Sequence, residues 1–320
     1  MFITPVRAFY PECALPDEPS IVNIDRREMS GLMDTPTPPD SRLYTFVDES
    51  REFALYFLEG QRLIYDLALL HPIRQAGFAY FRDVVLSVQP MIALLKHGEQ
   101  FGFYIDSVEP FFRLKIETSH GGATRCTLFP EEFQEFPAAM TGMVRLLKLF
   151  PNNVAPYESV LEIEALPLRE IVNRVLAESY QVHAGIVVSQ ESDQSLMLLR
   201  LPPLAGDGEA SALSPTAVDP RRQEIEQDLE RIFARGMHDV QVIAAAFGEI
   251  GFELLARRQI CFRCSCSLGR MIENIRLAVD DDFEGLFDPD QDALEITCEY
   301  CKSRYSVTRE DLRQAPNPIN

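Results

Sequence analysis

"CFRCSCS" at residues 261–267 and "CEYCKSRY" at 298–305 hold five of the seven cysteines in a chain of 320 residues. Thiolates are soft ligands with high affinity for zinc, and four of them close a tetrahedral structural site. Two close pairs contributed by separate turns are how a short stretch of chain builds such a site. This end of the chain therefore reads as a zinc-binding unit rather than as reduced cysteines in a small core. Two ligand sets fit the spacing. In one, Cys264-x-Cys266 joins Cys298-x-x-Cys301. In the other, Cys261-x-x-Cys264 joins Cys298-x-x-Cys301 and leaves Cys266 over, so Cys261 stands as an alternative ligand. A thioredoxin-like site at Cys298 and Cys301 would need a βαβ context, whereas "ITCEYCKSRYSV" reads as strand, turn and strand.

Working outward, "LGRMIENIRLAVDDDFEGL" between the two cysteine pairs reads as helix. Upstream, "QEIEQDLERIFARG" puts Ile225, Leu229, Ile232 and Phe233 on one helical face, and "VQVIAAAFGEIGFELLA" continues as a strongly apolar stretch. Residues 221–259 are thus expected to be helical, packed on the tail and on the main domain. "PPLAGDGEASALSPTAVDP" at 202–220 is a linker by its Pro, Gly, Ala and Ser content. Before it, "FGFYIDS" and "FRLKIET" alternate apolar and polar residues, and "SHGGAT" ahead of "RCTLF" is a hairpin signal. "MVRLLKLF", "YESVLEIEA", "HAGIVVS" and "SLMLLRL" add strands, with an amphipathic helix at 167–179 between the second and third. Towards the N-terminus, Phe53, Phe57, Ile64 and Leu67 recur at helical steps, and a second helix is expected over 77–97 with Pro90 as a kink. Residues 1–42 are proline-rich and read as a flexible extension.

Strands and helices mixed without a regular βα repeat predict an α+β fold. The expected organisation is an extension at 1–42, an N-terminal sheet-and-helix domain at 43–203, a linker and helical segment at 204–259, and a small C-terminal zinc-binding domain at 260–320.

Composition narrows the function classes. The formal net charge is −19. The tail from 261 carries seven Lys and Arg against twelve Asp and Glu, so it is no local exception. Nucleic-acid affinity rests on basic residues neutralising phosphates, and this surface argues against it. No run approaches the apolar length that spans a bilayer, and no secretory signal opens the chain. A cytosolic location follows as the expectation, and there thiols stay reduced. The chain has no G-x-S-x-G, no H-E-x-x-H and no G-x-x-x-x-G-K. The five histidines (His71, His97, His120, His183 and His238) are scattered and read as surface or helix-end residues. Cys13 and Cys126 are isolated. Nothing marks the chain as an enzyme.

"FRCSCS", the helical insert and "LEITCEYCKSRYSVTREDL" resemble the zinc-binding tail of the redox-regulated heat-shock chaperones of thirty-three kilodaltons. "PYESVLEIEALPLREIVNRVLAESYQV" and "GEQFGFYIDSVEPFFRLKIETSHGGATRC" are similar to further stretches of that family, and together the likeness covers roughly residues 43–312. The resemblance implies Cys264, Cys266, Cys298 and Cys301 as ligands of one zinc ion in the reduced form. It implies redox disulfides Cys264–Cys266 and Cys298–Cys301, which would consume all four ligands, release zinc and unfold the tail. The function implied is that of an ATP-independent stress-response holdase, switched on by oxidation. Its partners would be unfolded or oxidatively damaged proteins, with a homodimer as a candidate oxidised form. Two other classes stay open on the residues themselves. One is a constitutive interaction module with a structural zinc site; the other is a disulfide oxidoreductase, which needs only the C-x-x-C pair.

Overall fold

A computed structural model describes residues 37–313, apart from 203–224, 132–136, 234–238, 280–282, 289–290 and a few positions at 49, 51, 74, 153, 226 and 229–230. The expected extension up to residue 36, the linker at 203–220, Cys13, Leu229 and His238 lie outside the described residues. The chain divides into two compact units, with the boundary between Phe262 and Arg263.

In the main unit, β1 (Arg42–Asp48) and β2 (Phe53–Glu59) form an antiparallel pair, followed by α1 (Gln61–Leu70) and α2 (Gln75–Val88). The first of these differs from the sequence reading. Phe53 and Phe57 sit on a strand, and only Ile64 and Leu67 of that set lie on a helix. A four-residue step satisfies the period of a helix and also the even period of a strand. The usual tie-breaker is alternation, and it is missing because β2 is buried on both faces. Phe53, Leu55 and Phe57 enter one core while Leu58 enters the other. The helix expected over 77–97 ends as α2 at Val88. A 3-10 helix, Gln89–Leu94, takes over with Pro90 in its first turn, where a missing N–H is tolerated.

The strands expected from alternation then follow. They are β3 (Gln100–Glu109), β4 (Phe111–Ser119), β5 (Ala123–Phe129), β6 (Met140–Leu149) and β7 (Tyr157–Leu166), then α3 (Leu168–Glu178), β8 (Ala184–Val188) and β9 (Gln194–Arg200). The described residues of 225–233 are helical. Beyond them comes α4 (Val240–Gly248), capped by the Asp239 carboxylate, which accepts from the amides of Gln241 and Val242. Helix does not continue through 259 as expected. Residues Phe252–Gln259 form β10, which pairs antiparallel along the whole of β1, from Asp48 opposite Phe252 to Arg42 opposite Gln259. The short β11 (Cys261–Phe262) then runs parallel to β5.

The strands make two sheets, ordered β10-β1-β2-β9-β8 and β11-β5-β4-β3-β6-β7. One core draws Leu58 from the first sheet, Phe103, Ile116 and Val144 from the second, and Leu63, Val84 and Val175 from the helices. The second core lies on the other face of the five-stranded sheet. There Ile225, Ile232, Phe233 and Phe247 cover Phe46, Leu55 and Phe57. The Phe247 ring stands 4.6 Å from that of Phe46 and 5.2 Å from that of Phe57. The apolar stretch before the cysteines is therefore core of the main unit. The "SHGGAT" hairpin is held by Gly122, whose φ is +88° and whose missing Cβ leaves room for the Gln259 carbonyl.

The second unit contains α5 (Leu268–Val279), the hairpin β12 (Ala293–Thr297) and β13 (Arg304–Thr308), and α6 (Arg309–Arg313). Its apolar core is small. Phe287, Val307 and Leu312 are buried, with Met271, Ile272, Ile275, Leu294 and Ile296 packed around them. Arg276 of α5 donates to the carbonyls of Asp311 and Leu312, and Arg309 lies over the Phe287 ring at 4.4 Å. The architecture is α+β, as expected.

Candidate metal centre

The four cysteines of the second unit come together from two turns. Cys264 and Cys266 precede α5, where Arg270 reaches back to donate to the carbonyl of Ser265, between them. Cys298 and Cys301 occupy the turn joining β12 to β13. That turn is closed by two backbone bonds, from the Cys298 amide to the Ser303 carbonyl at 2.8 Å and from the Lys302 amide to the Cys298 carbonyl at 2.9 Å. Lys302 adopts φ +59° to make the reversal. Strand, turn and strand is the reading "ITCEYCKSRYSV" suggested.

The four sulfurs lie within 4.8 Å of one another. Cys264 and Cys298 are 3.8 Å apart and Cys266 and Cys301 are 3.2 Å apart. A tetrahedral zinc ion with Zn–S bonds of ~2.3 Å sets its sulfurs about 3.8 Å from each other. The donor set and the spacing both fit such an ion, and among the described residues no histidine or carboxylate belongs to the group.

Hydrogen bonding among the sulfurs divides their protons unequally. Contact with Cys266, then with Cys298 and Cys301, holds the Cys264 thiol well above the ordinary cysteine range. Donation from Cys264 and then Cys266 brings Cys298 down to about 6 and holds Cys301 lower still.

The remaining cysteines are placed apart. Cys261 lies in β11 opposite Ala123, on the main-unit side of the boundary, and its sulfur is in a disulfide. It is not one of the four grouped sulfurs. Cys126 is fully buried in β5, and burial pushes its thiol up. His71 is at the end of α1, as expected of a helix-end histidine, yet it is buried, with its ring 5.7 Å from that of Phe81. Two hydroxyls lie near the sulfurs: that of Tyr305, the aromatic that the resemblance expects after the C-x-x-C pair, and that of Ser303, which the sequence reading did not single out. The Tyr305 hydroxyl is 3.0 Å from the Cys266 sulfur, and the Ser303 hydroxyl is 3.1 Å from the Cys301 sulfur. For Ser303 the available signal was a hydroxyl two residues beyond a cysteine turn, and such residues are common in any turn.

An α+β unit of two sheets, joined to a small unit built around four thiols, is the class of protein that the fold and the site define. The chain belongs to the Hsp33 family, whose model (Hsp33 protein) matches residues 41–308. Among curated proteins it is similar to the 33 kDa chaperonin of Citrifermentans bemidjiense. The two are 23% identical over 242 residues, covering 69% of this chain and 78% of the relative. The 33 kDa chaperonin of Geobacter sp. (strain M21) is 25% identical over the same shares of both chains. Among solved structures, the 33 kDa chaperonin (heat shock protein 33 homolog) of Thermotoga maritima superposes with a TM-score of 0.62. That match covers 86% of this chain and 97% of that one at 12% identity, a likeness of fold. Among the described residues no helix is long and apolar enough to cross a membrane.

Proposed function

We propose that this protein is an ATP-independent holdase activated by oxidation. The observation that carries the reading is the gathering of four cysteine sulfurs within 4.8 Å, in a family whose relatives are named chaperonins. On this reading the unit up to Phe262, with the described residues of 225–259 folded into it, is the client-binding domain, and the four-cysteine unit that follows is the redox switch.

Cys264, Cys266, Cys298 and Cys301 would hold zinc, and the bound ion would supply binding energy that serves as folding energy for the small unit. The cysteines themselves do the switching. A thiolate attacks a peroxide oxygen, the O–O bond breaks, hydroxide departs and the sulfur becomes a sulfenic acid. The neighbouring thiolate attacks that sulfur, the S–S bond forms and a second hydroxide departs. One peroxide thus converts two thiolates into a disulfide. Repeated at Cys264–Cys266 and at Cys298–Cys301, the reaction removes every donor, and the small unit loses what holds it folded.

Client capture needs exposed apolar surface. The stretch expected to supply it, around Ile243, Phe247 and Phe252, is buried on the five-stranded sheet in this state. Activation on this reading includes the lifting of α4 from Phe46 and Phe57. A net charge of −19 then keeps the exposed state dispersed. The partners are unfolded proteins in a reducing compartment under oxidative stress, with a second copy of the chain as a candidate partner of the oxidised form.

The test is zinc content before and after mild peroxide, with aggregation of a denatured protein followed in both samples. The expected result is one zinc per chain, lost on oxidation, with suppression of aggregation only afterwards. Retained zinc, or suppression indifferent to oxidation, would replace the switch by a static zinc-held interaction module. Hydrogen exchange across 239–259 reads the last step, and protection unchanged by oxidation would remove α4 from the mechanism.

A further inference from the structure

The four sulfurs are not held alike. The first cysteine of each pair is held by backbone, Cys264 accepting the amide of Cys266 and Cys298 the amide of Cys301. Such donors come with the turn, whatever side chains it carries. The second cysteine of each pair faces a hydroxyl instead. Tyr305 Oη is 3.0 Å from Cys266 Sγ and Ser303 Oγ is 3.1 Å from Cys301 Sγ. A metal-bound thiolate has no proton to give, so both hydroxyls must donate.

Both hydroxyls are set firmly. Tyr305 lies on β13 opposite Ile296 of β12, and the Ser303 carbonyl accepts the Cys298 amide, tying it to the same turn. We propose that Tyr305 and Ser303 are positioning residues for Cys266 and Cys301, bracing these sulfurs for the metal and restraining their attack on oxidant. The inference rests on the zinc switch proposed above. A donated hydrogen bond draws electron density from a thiolate, which makes it a weaker nucleophile, and it also fixes the direction of the sulfur lone pairs. Outer hydrogen bonds of this kind are worth about 10–100-fold in metal affinity.

The experiment compares the zinc-loaded wild-type chain with Tyr305→Phe, Ser303→Ala and Ser303→Thr. Zinc affinity is measured by competition with a chromogenic chelator in the absence of oxidant. Modification of each cysteine by an alkylating reagent is then followed by peptide mass spectrometry. Tyr305→Phe should weaken zinc about 10-fold or more and speed modification of Cys266 above that of Cys264. Ser303→Ala should do the same at Cys301 relative to Cys298, and Ser303→Thr should restore wild-type behaviour. Unchanged affinity and unchanged rates in a chain that loads zinc normally would overturn this inference and leave the proposed function standing. Equal acceleration at all four cysteines would also overturn it, since that is loss of fold rather than loss of a brace. A wild-type chain that takes up no zinc would overturn both.

Discussion

The two units solve the same problem by different means. The main unit buries aromatic and branched side chains on both faces of its five-stranded sheet and on the six-stranded one, among them Phe46 and Phe57 of the first and Phe103 and Phe112 of the second, with essentially no exposure. The cysteine unit buries Phe287, Val307 and Leu312, and no residue of α5 is fully buried. Apolar burial of that extent does not offset the conformational entropy of ordering a chain segment. The difference leaves the second unit short of apolar burial, and on the proposed reading its four sulfurs and the metal they would hold make up that shortfall.

The sharpest way to break this comparison is to remove one sulfur. Cys298→Ser should unfold the cysteine unit while the main unit stays folded, because a structural zinc held as proposed would contribute about 10–16 kcal/mol. Loss of dispersed amide resonances from 263–313 alone would bear this out, and a unit that stays ordered would show that its apolar core suffices. The converse change is Phe57→Ala. It should cost the main unit about 3–5 kcal/mol in chemical denaturation and leave zinc stoichiometry untouched. Gly122→Ala comes next. Its Cβ would meet the Gln259 carbonyl oxygen at 2.0 Å in a backbone of φ +88°, and about 1–3 kcal/mol of strain is expected. A stability equal to wild type would mean that the hairpin and the end of β10 move apart freely.

The smallest effect is expected at Glu284, an exposed carboxylate that accepts from Arg313 and Arg309. The hydrogen bond from Arg313, ahead of that from Arg309, holds its carboxyl below the ordinary range. A lowered folded-state value means that its contribution is present above the unfolded carboxylate range and fades as pH falls through the depressed one. Solvent screens such a pair, so Glu284→Gln should lower the melting temperature of the cysteine unit only marginally and flatten its acid limb. A large loss would show that charge pairs hold the unit together as well as sulfur does.

Local signals carried much of the fold. Alternation in β3 and β4 announced an antiparallel pair, because one face of each meets the core and the other meets solvent. The cysteine spacing announced the site, because soft-ligand chemistry needs few residues close together and tolerates little variation in their separation. What local signals missed has a common cause. β2 is buried on both sides, so it lacks alternation and its phenylalanines fall at helical steps. β10 carries Phe252, Leu254 and Leu255 straight after an apolar helix, and it becomes a strand by pairing with β1, about two hundred residues earlier in the chain.

The sequence by itself determined that the cysteines form a cluster, the antiparallel strands and the acidic charge, since each follows from residue chemistry at short range. The structure chose Cys266 over Cys261 for the group. Only the tertiary structure decided that 252–259 would complete a sheet and that Phe247 would be core. It also decided that the hydroxyls of Tyr305 and Ser303 would point at sulfur. Those outcomes rest on which partner a segment meets, and pairing between distant segments leaves no period in the sequence to read.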